Sequence, residues 1–159
     1  MKHLPKHLQP RWRYLAVGIE AWPDAELDRR RFQRALWYAA GNLLGDAGSA
    51  DAGLKLFTFR FDDGEGEALV RVRRGHVDEA RAAIACVNEI GGGPVGVHVR
   101  GVSGTVRACE ERYMGRAGGN VQQRGVAFEG VDSAAVVRGD AYDVRTDSGF
   151  VGAAAFDIE

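Results

Sequence analysis

Cysteine, proline and lysine are all scarce in this chain of 159 residues, and each shortage excludes something. The two cysteines, Cys86 and Cys109, stand singly in segments expected to be helical. They form neither a Cys-x-x-Cys metal motif nor a disulfide-stapled scaffold, and buried thiols of a reducing compartment account for them. No apolar run approaches the ~18 residues that a membrane span needs. The N-terminus lacks the apolar core of a signal peptide, so a cytoplasmic protein is expected. Nor is there an excess of positive charge: the net charge is −1, and the total gives no sign of a polyanionic partner.

The distribution of charge says more. Residues 1–116 carry 18 Lys and Arg against 15 Asp and Glu, whereas residues 117–159 carry 3 against 7, giving a mildly basic body and an acidic tail. Of the 21 basic residues 18 are arginine, the side chain suited to bidentate phosphate contacts and to stacking on bases. A compositional bias toward arginine explains the same count. With 45% apolar and 27% charged residues the chain has the make-up of a folded domain, and its length suits one domain with an appendage.

Residues 1–11 hold two prolines and several basic groups, which fits an extended basic arm. His3 and His7 have the i, i+4 spacing of a helical metal grip, but Pro5 between them argues against that helix. Trp12 to Glu20 alternates as a strand with both faces partly covered. Pro23-Asp24 opens a helix with Phe32, Leu36, Ala39 and Leu43 inward. Its Arg29, Arg30, Arg31 and Arg34 are either an RNA-facing patch or a solvated helix face.

A loop is expected over 45–53, then a hairpin of strands Leu54–Asp62 and Ala68–Arg73 around Asp63-Gly64-Glu65-Gly66. Phe57, Phe59 and Phe61 share one face by alternation. They serve either as core under helices, as bases for stacking, or as a protein-docking surface. Asp62, Asp63, Glu65 and Glu67 are carboxylates at a hairpin tip, where polar residues are the rule without any Mg²⁺. Val77 to Ile90 reads as a second helix stopped by Gly91-Gly92-Gly93-Pro94, and Val95 to Arg100 as a fourth strand. His98 has no nucleophile or orienting carboxylate that can be placed beside it.

The fourth strand hands over to a helix at Gly101-Val102-Ser103-Gly104-Thr105-Val106-Arg107. Ser103 is the expected cap there, and Gly104 clears the approach to the amides at the helix start. Arg107 and Arg112 add charge nearby. This is either a phosphate site or simply a capped helix. The order strand, helix, strand, strand, helix, strand predicts an α+β split β-α-β fold, ferredoxin-like, with a four-stranded antiparallel sheet, two helices on one face and an additional helix after the fourth strand. Three segments are expected: a basic arm over 1–11, the α/β domain over 12–115, and an acidic, weakly ordered extension over 116–159 in which Val136-Val137, Phe150-Val151 and Phe156 give a short strand or docking contacts.

Leu4-Pro5, then Arg11-Trp12-Arg13-Tyr14-Leu15-Ala16, then Val77-Asp78-Glu79-Ala80-Arg81-Ala82-Ala83-Ile84, and finally Gly101 through Glu110 occur in this order. In that combination the chain resembles the ribonuclease P protein component 2 family over roughly residues 1–115, and its Arg-rich, Lys-poor style resembles members from halophilic archaea. The resemblance implies a non-catalytic subunit of a ribozyme that removes the 5′ leader of precursor tRNA. The RNA then carries out hydrolysis with Mg²⁺, and the protein itself holds no cofactor or metal. Its implied partners are the ribonuclease P RNA, precursor tRNA and ribonuclease P protein component 3, with self-association giving a heterotetramer and no membrane contact. Lys6, Arg11, Arg13, Ser103, Gly104, Thr105 and Arg107 are the expected RNA contacts, and Phe57, Phe59 and Phe61 the expected protein interface. A general RNA-binding or docking module of the same topology, or a ligand-sensing domain using the Gly91–Gly93 loop, are the alternatives.

Overall fold

A computed structural model describes residues 5–9, 11–115, 122–147 and 149–158. Residues 1–4 and 10 of the basic arm, His3 among them, and residues 116–121, 148 and 159 lie outside the described residues. The elements are β1 (Trp12–Ala21), α1 (Arg29–Ala52), β2 (Lys55–Asp62), β3 (Glu65–Arg73), α2 (Val77–Ala85), β4 (Glu89–Ile90), β5 (Gly93–Ser103), α3 (Val106–Tyr113), β6 (Gln122–Phe128), β7 (Val131–Arg138), β8 (Ala141–Thr146) and β9 (Gly149–Ala154).

The first sheet has the order β2-β3-β1-β5-β4, all neighbours antiparallel, which is the split β-α-β topology with one short strand added at the edge. That extra strand corrects the expected four-stranded sheet. Helix α2 stops at Ala85, because Gly91 and Gly92 both take positive φ and fold residues 89–94 into a hairpin where helix was expected. Helix α1 runs through the expected loop to Ala52, broken at Gly45 and ended by Gly53 in the left-handed region.

Alternation along β1 divides the sheet into two covered faces. Leu15, Val17 and Ile19 pack with Phe32, Leu36 and Ala39 of α1 and with Ala80 and Ile84 of α2. On the other face Ala16 and Leu69 pack with Cys109 of α3, flanked by Tyr14, Phe57, Val106 and Tyr113. The third helix therefore crosses the face opposite the first two. Gly101 makes this close: a Cβ there would lie 2.3 Å from the Tyr113 ring.

Residues 122–147 and 149–158, expected to be weakly ordered with at most a short strand, form instead a four-stranded meander, β6-β7-β8-β9, around Val126, Ala135, Val144 and Ala153. Its strands are small-residue strands whose glycine-bearing turns are evenly spaced, so no long apolar period announces them. Arg138 fixes this sheet to the first. Its guanidinium donates to the carbonyls of Ala21 (2.8 Å) and Gly64 (3.1 Å) and pairs with Asp143 (2.6 Å). The Phe150 ring stacks on Trp22 beside it, centroids 5.3 Å apart.

Candidate nucleic-acid interface

Antiparallel pairing of β1 with β5 brings one expected RNA contact, Arg13 on β1, to those of the junction. Tyr14 pairs with Ser103, so Arg13 stands next to Gly104. The Arg13 guanidinium lies 3.9 Å from the place a Cβ on Gly104 would take. Arg13 also donates to the Trp12 carbonyl (3.0 Å). Arg11 is exposed, its carbonyl accepting from the Arg74 amide (2.9 Å), and Lys6 lies exposed on a 3-10 turn over Lys6–Leu8.

The helix cap is Thr105 and not Ser103. The Thr105 hydroxyl accepts from the Ala108 amide (3.1 Å), while Ser103 ends β5. A residue must leave the strand before it can cap, and β5 runs on through Ser103, so the cap falls two residues further along. The amides of Val106 and Arg107 have no carbonyl to reach within the helix, as in any first turn. The Arg107 side chain is exposed and pairs with Glu111 (2.9 Å). The structure thus brings Arg13, Ser103 and Gly104 together, with Thr105 and Arg107 following at the helix start.

The three phenylalanines do not share a face. A bulge in β2 between Leu56 and Thr58 shifts the alternation, so that Leu56, Phe59 and Phe61 pack toward α1 while Phe57 joins Tyr14 under the α3 side. Phe59 is half-buried and packs on the core, 5.3 Å from Phe32 centroid to centroid. Arg29 holds the bulge by donating to the carbonyls of Leu56 (2.6 Å) and Phe57 (2.9 Å). Arg31 pairs with Glu26 and Asp28. Two of the four clustered arginines are therefore engaged within the fold.

Two of the four hairpin carboxylates, Glu65 and Glu67, are likewise engaged, Glu65 with Arg138 at 3.4 Å. Glu67 is buried and accepts from Arg100 (2.8 Å), Arg60 (3.0 Å) and the Gly115 amide (3.0 Å). Arg100 reaches it across Gly18, where a Cβ would lie 2.9 Å from the Arg100 Nε. Among the described residues no group of three or more His, Cys, Asp or Glu is placed to hold a metal ion.

Sequence reasoning missed one cluster. Arg71 lies 3.7 Å over the Trp12 ring and 5.3 Å from the Phe57 centroid, with Arg73 5.8 Å from Trp12 and Lys55 5.4 Å from Phe57. The i, i+2 spacing of Arg71 and Arg73 on an alternating strand was the available signal. Its meaning depends on which strands flank β3.

The Rpp14/Pop5 family model matches residues 13–114, the extent of the α/β domain. The chain is 76% identical to ribonuclease P protein component 2 of Halorubrum lacusprofundi over 159 residues, all of both chains. It is 60% identical to the same component of Natronomonas pharaonis, over 99% of this chain and 98% of that one. With the component of Thermococcus gammatolerans it shares 33% identity over 117 residues, 74% of this chain and 94% of that one.

Proposed function

The chain belongs to the Rpp14/Pop5 family, and on that premise we propose that it serves ribonuclease P as a non-catalytic protein subunit, supporting the RNA that removes the 5′ leader of precursor tRNA. Identity of 76% along the whole length of a ribonuclease P protein component 2 is the observation that carries this reading. In it the Mg²⁺ belongs to the RNA. The protein supplies phosphate contacts from Lys6, Arg11 and Arg13, and from Ser103, Gly104, Thr105 and Arg107 at the start of α3. The proximity of Arg13 to Gly104 supports treating the start of β1 and the junction as one surface.

Ribonuclease P protein component 3 is the proposed protein partner, with self-association completing a heterotetramer in the cytoplasm. All three phenylalanines are half-buried, so Phe57 would act from the α3 side and Phe59 and Phe61 from the α1 side. Exposed Trp37, Tyr38 and Leu43 on α1 supply further apolar area. Among the described residues no helix is long and apolar enough to cross a membrane.

Reconstitution tests the reading. Leader cleavage by the RNA with component 3 should rise on adding this chain, and the chain alone should leave precursor tRNA intact; turnover without any RNA would overturn the proposal. Arg11→Ala with Arg13→Ala should flatten the salt dependence of RNA affinity, by roughly 0.7 to 0.9 in slope for each phosphate no longer neutralised. At 1 M salt charge is screened within about 3 Å, so hydrogen bonds and stacking must hold measurable affinity there.

A further inference from the structure

We propose a second RNA contact at the open end of the α3-covered sheet face, where Arg71 and Arg73 take a phosphate of a single strand and its base lies against Trp12. Strand register builds the site. Lys55 of β2, Arg71 of β3, Tyr14 of β1 and Ser103 of β5 form one cross-strand row, and Arg73 and Trp12 form the next row out. Helix α3 covers the inner rows through Ala16 and Leu69 and leaves these two at its margin.

Three features give this patch a ligand's chemistry. Lys55 and Arg71 stand directly opposite each other, a like-charge pairing that weakens a sheet unless an anion offsets it. Among the described residues none of Lys55, Arg71 and Arg73 has a carboxylate within 4.0 Å, although ion pairs occupy the arginines of the adjacent Glu67 cluster. Among the described residues the buried Arg71 Nε has no hydrogen-bond partner, and the guanidinium carbon lies 3.7 Å from the Trp12 ring centroid and 5.3 Å from that of Phe57. The two rings confine the guanidinium and use none of its terminal Nη donors. That is a preorganised fork for a phosphate oxygen pair beside an aromatic surface on which a base can stack. A single strand of RNA supplies both parts at once, a phosphate for the guanidinium and a base for the half-buried indole. The row also ends at Ser103, so the contact continues the surface of the arm and junction and rests in that respect on the function proposed above.

The experiment follows the Trp12 indole N–H resonance in the full-length chain, assigned with Trp12→Phe, while a short oligouridylate or the ribonuclease P RNA is added. Both RNAs should shift it. Arg71→Gln should weaken oligouridylate binding about tenfold and reduce its salt slope by about 0.7, and Arg71→Lys should recover the slope without the full affinity. A Trp12 resonance unmoved at saturating RNA, or Arg71→Gln binding both RNAs with unchanged affinity and slope, overturns the site. So does a resonance that responds to component 3 and not to RNA, which would make the patch a protein surface. Oligouridylate shifting Trp12 in a chain that ignores ribonuclease P RNA would keep the site and refute the ribonuclease P assignment. Full stimulation of cleavage with a silent Trp12 would do the reverse. The unmutated chain decides if a variant melts early.

Discussion

Two thiols of the same chemistry meet opposite environments. Cys109 is fully buried against Ala16 and Leu69 and donates to the Tyr14 carbonyl (3.5 Å), and burial, assisted by the charge of Glu110, pushes its pKa from 9.0 to about 11. Cys86, expected to be buried, is exposed at the end of α2. Alkylation at pH 8 should therefore label Cys86 and spare Cys109 until the protein is denatured, as read by mass spectrometry. The same shift has a signed consequence for stability. Between pH 9 and about 11 the folded chain keeps a proton the unfolded chain has lost, so this group contributes a stability that is intact below pH 9 and falls as pH rises through that window. The corresponding slope should disappear from denaturation midpoints of Cys109→Ala.

Single elements are held at their ends by side chains that their own sequence only partly identifies. Asp28 caps α1 by accepting from the Arg31 amide (2.8 Å), and Thr105 caps α3. Thr105→Ala should cost about 1 kcal/mol in urea denaturation, while Ser103→Ala should stay within about 0.5 kcal/mol. Equal costs for the two would show that the cap had been misassigned. Both residues have the chemistry of a cap, and only the point at which the chain turns away from β1 selects between them. The bulge in β2 is a similar case. Alternation puts Phe57, Phe59 and Phe61 on one face, and one extra residue, fixed by Arg29 from a different element, reverses Phe57.

At the scale of the molecule, two sheets meet around Arg138, whose side chain is only 10% exposed and bridges Ala21, Gly64, Glu65 and Asp143. Removing that guanidinium takes a donor from the carbonyls of Ala21 and Gly64 and from the Asp143 carboxylate. Arg138→Met should free the second sheet, so that limited proteolysis removes residues after 122 while 12–115 stays resistant. Equal resistance of both parts would mean that Trp22–Phe150 stacking suffices to hold them. The family match ends at residue 114, whereas relatives from halophilic archaea align along the whole chain. The second sheet is thus an addition to the family domain, and its acidic surface belongs to that addition.

The split β-α-β order, the two main helices and the strand-to-helix junction were legible in the sequence because each rests on a local period or a local turn: apolar spacing in Phe32, Leu36 and Ala39, alternation in Val95, Val97 and Val99, glycines at the breaks. The resemblance carried by the Arg11–Ala16 and Gly101–Glu110 segments sufficed for the family. Tertiary structure alone decided that α3 covers the second face, that Glu67 is the buried partner of Arg100, and that Lys55, Arg71, Tyr14 and Ser103 stand in one row. Those facts depend on register between strands far apart in the chain, and a shift of one residue would send every one of these side chains to the other face.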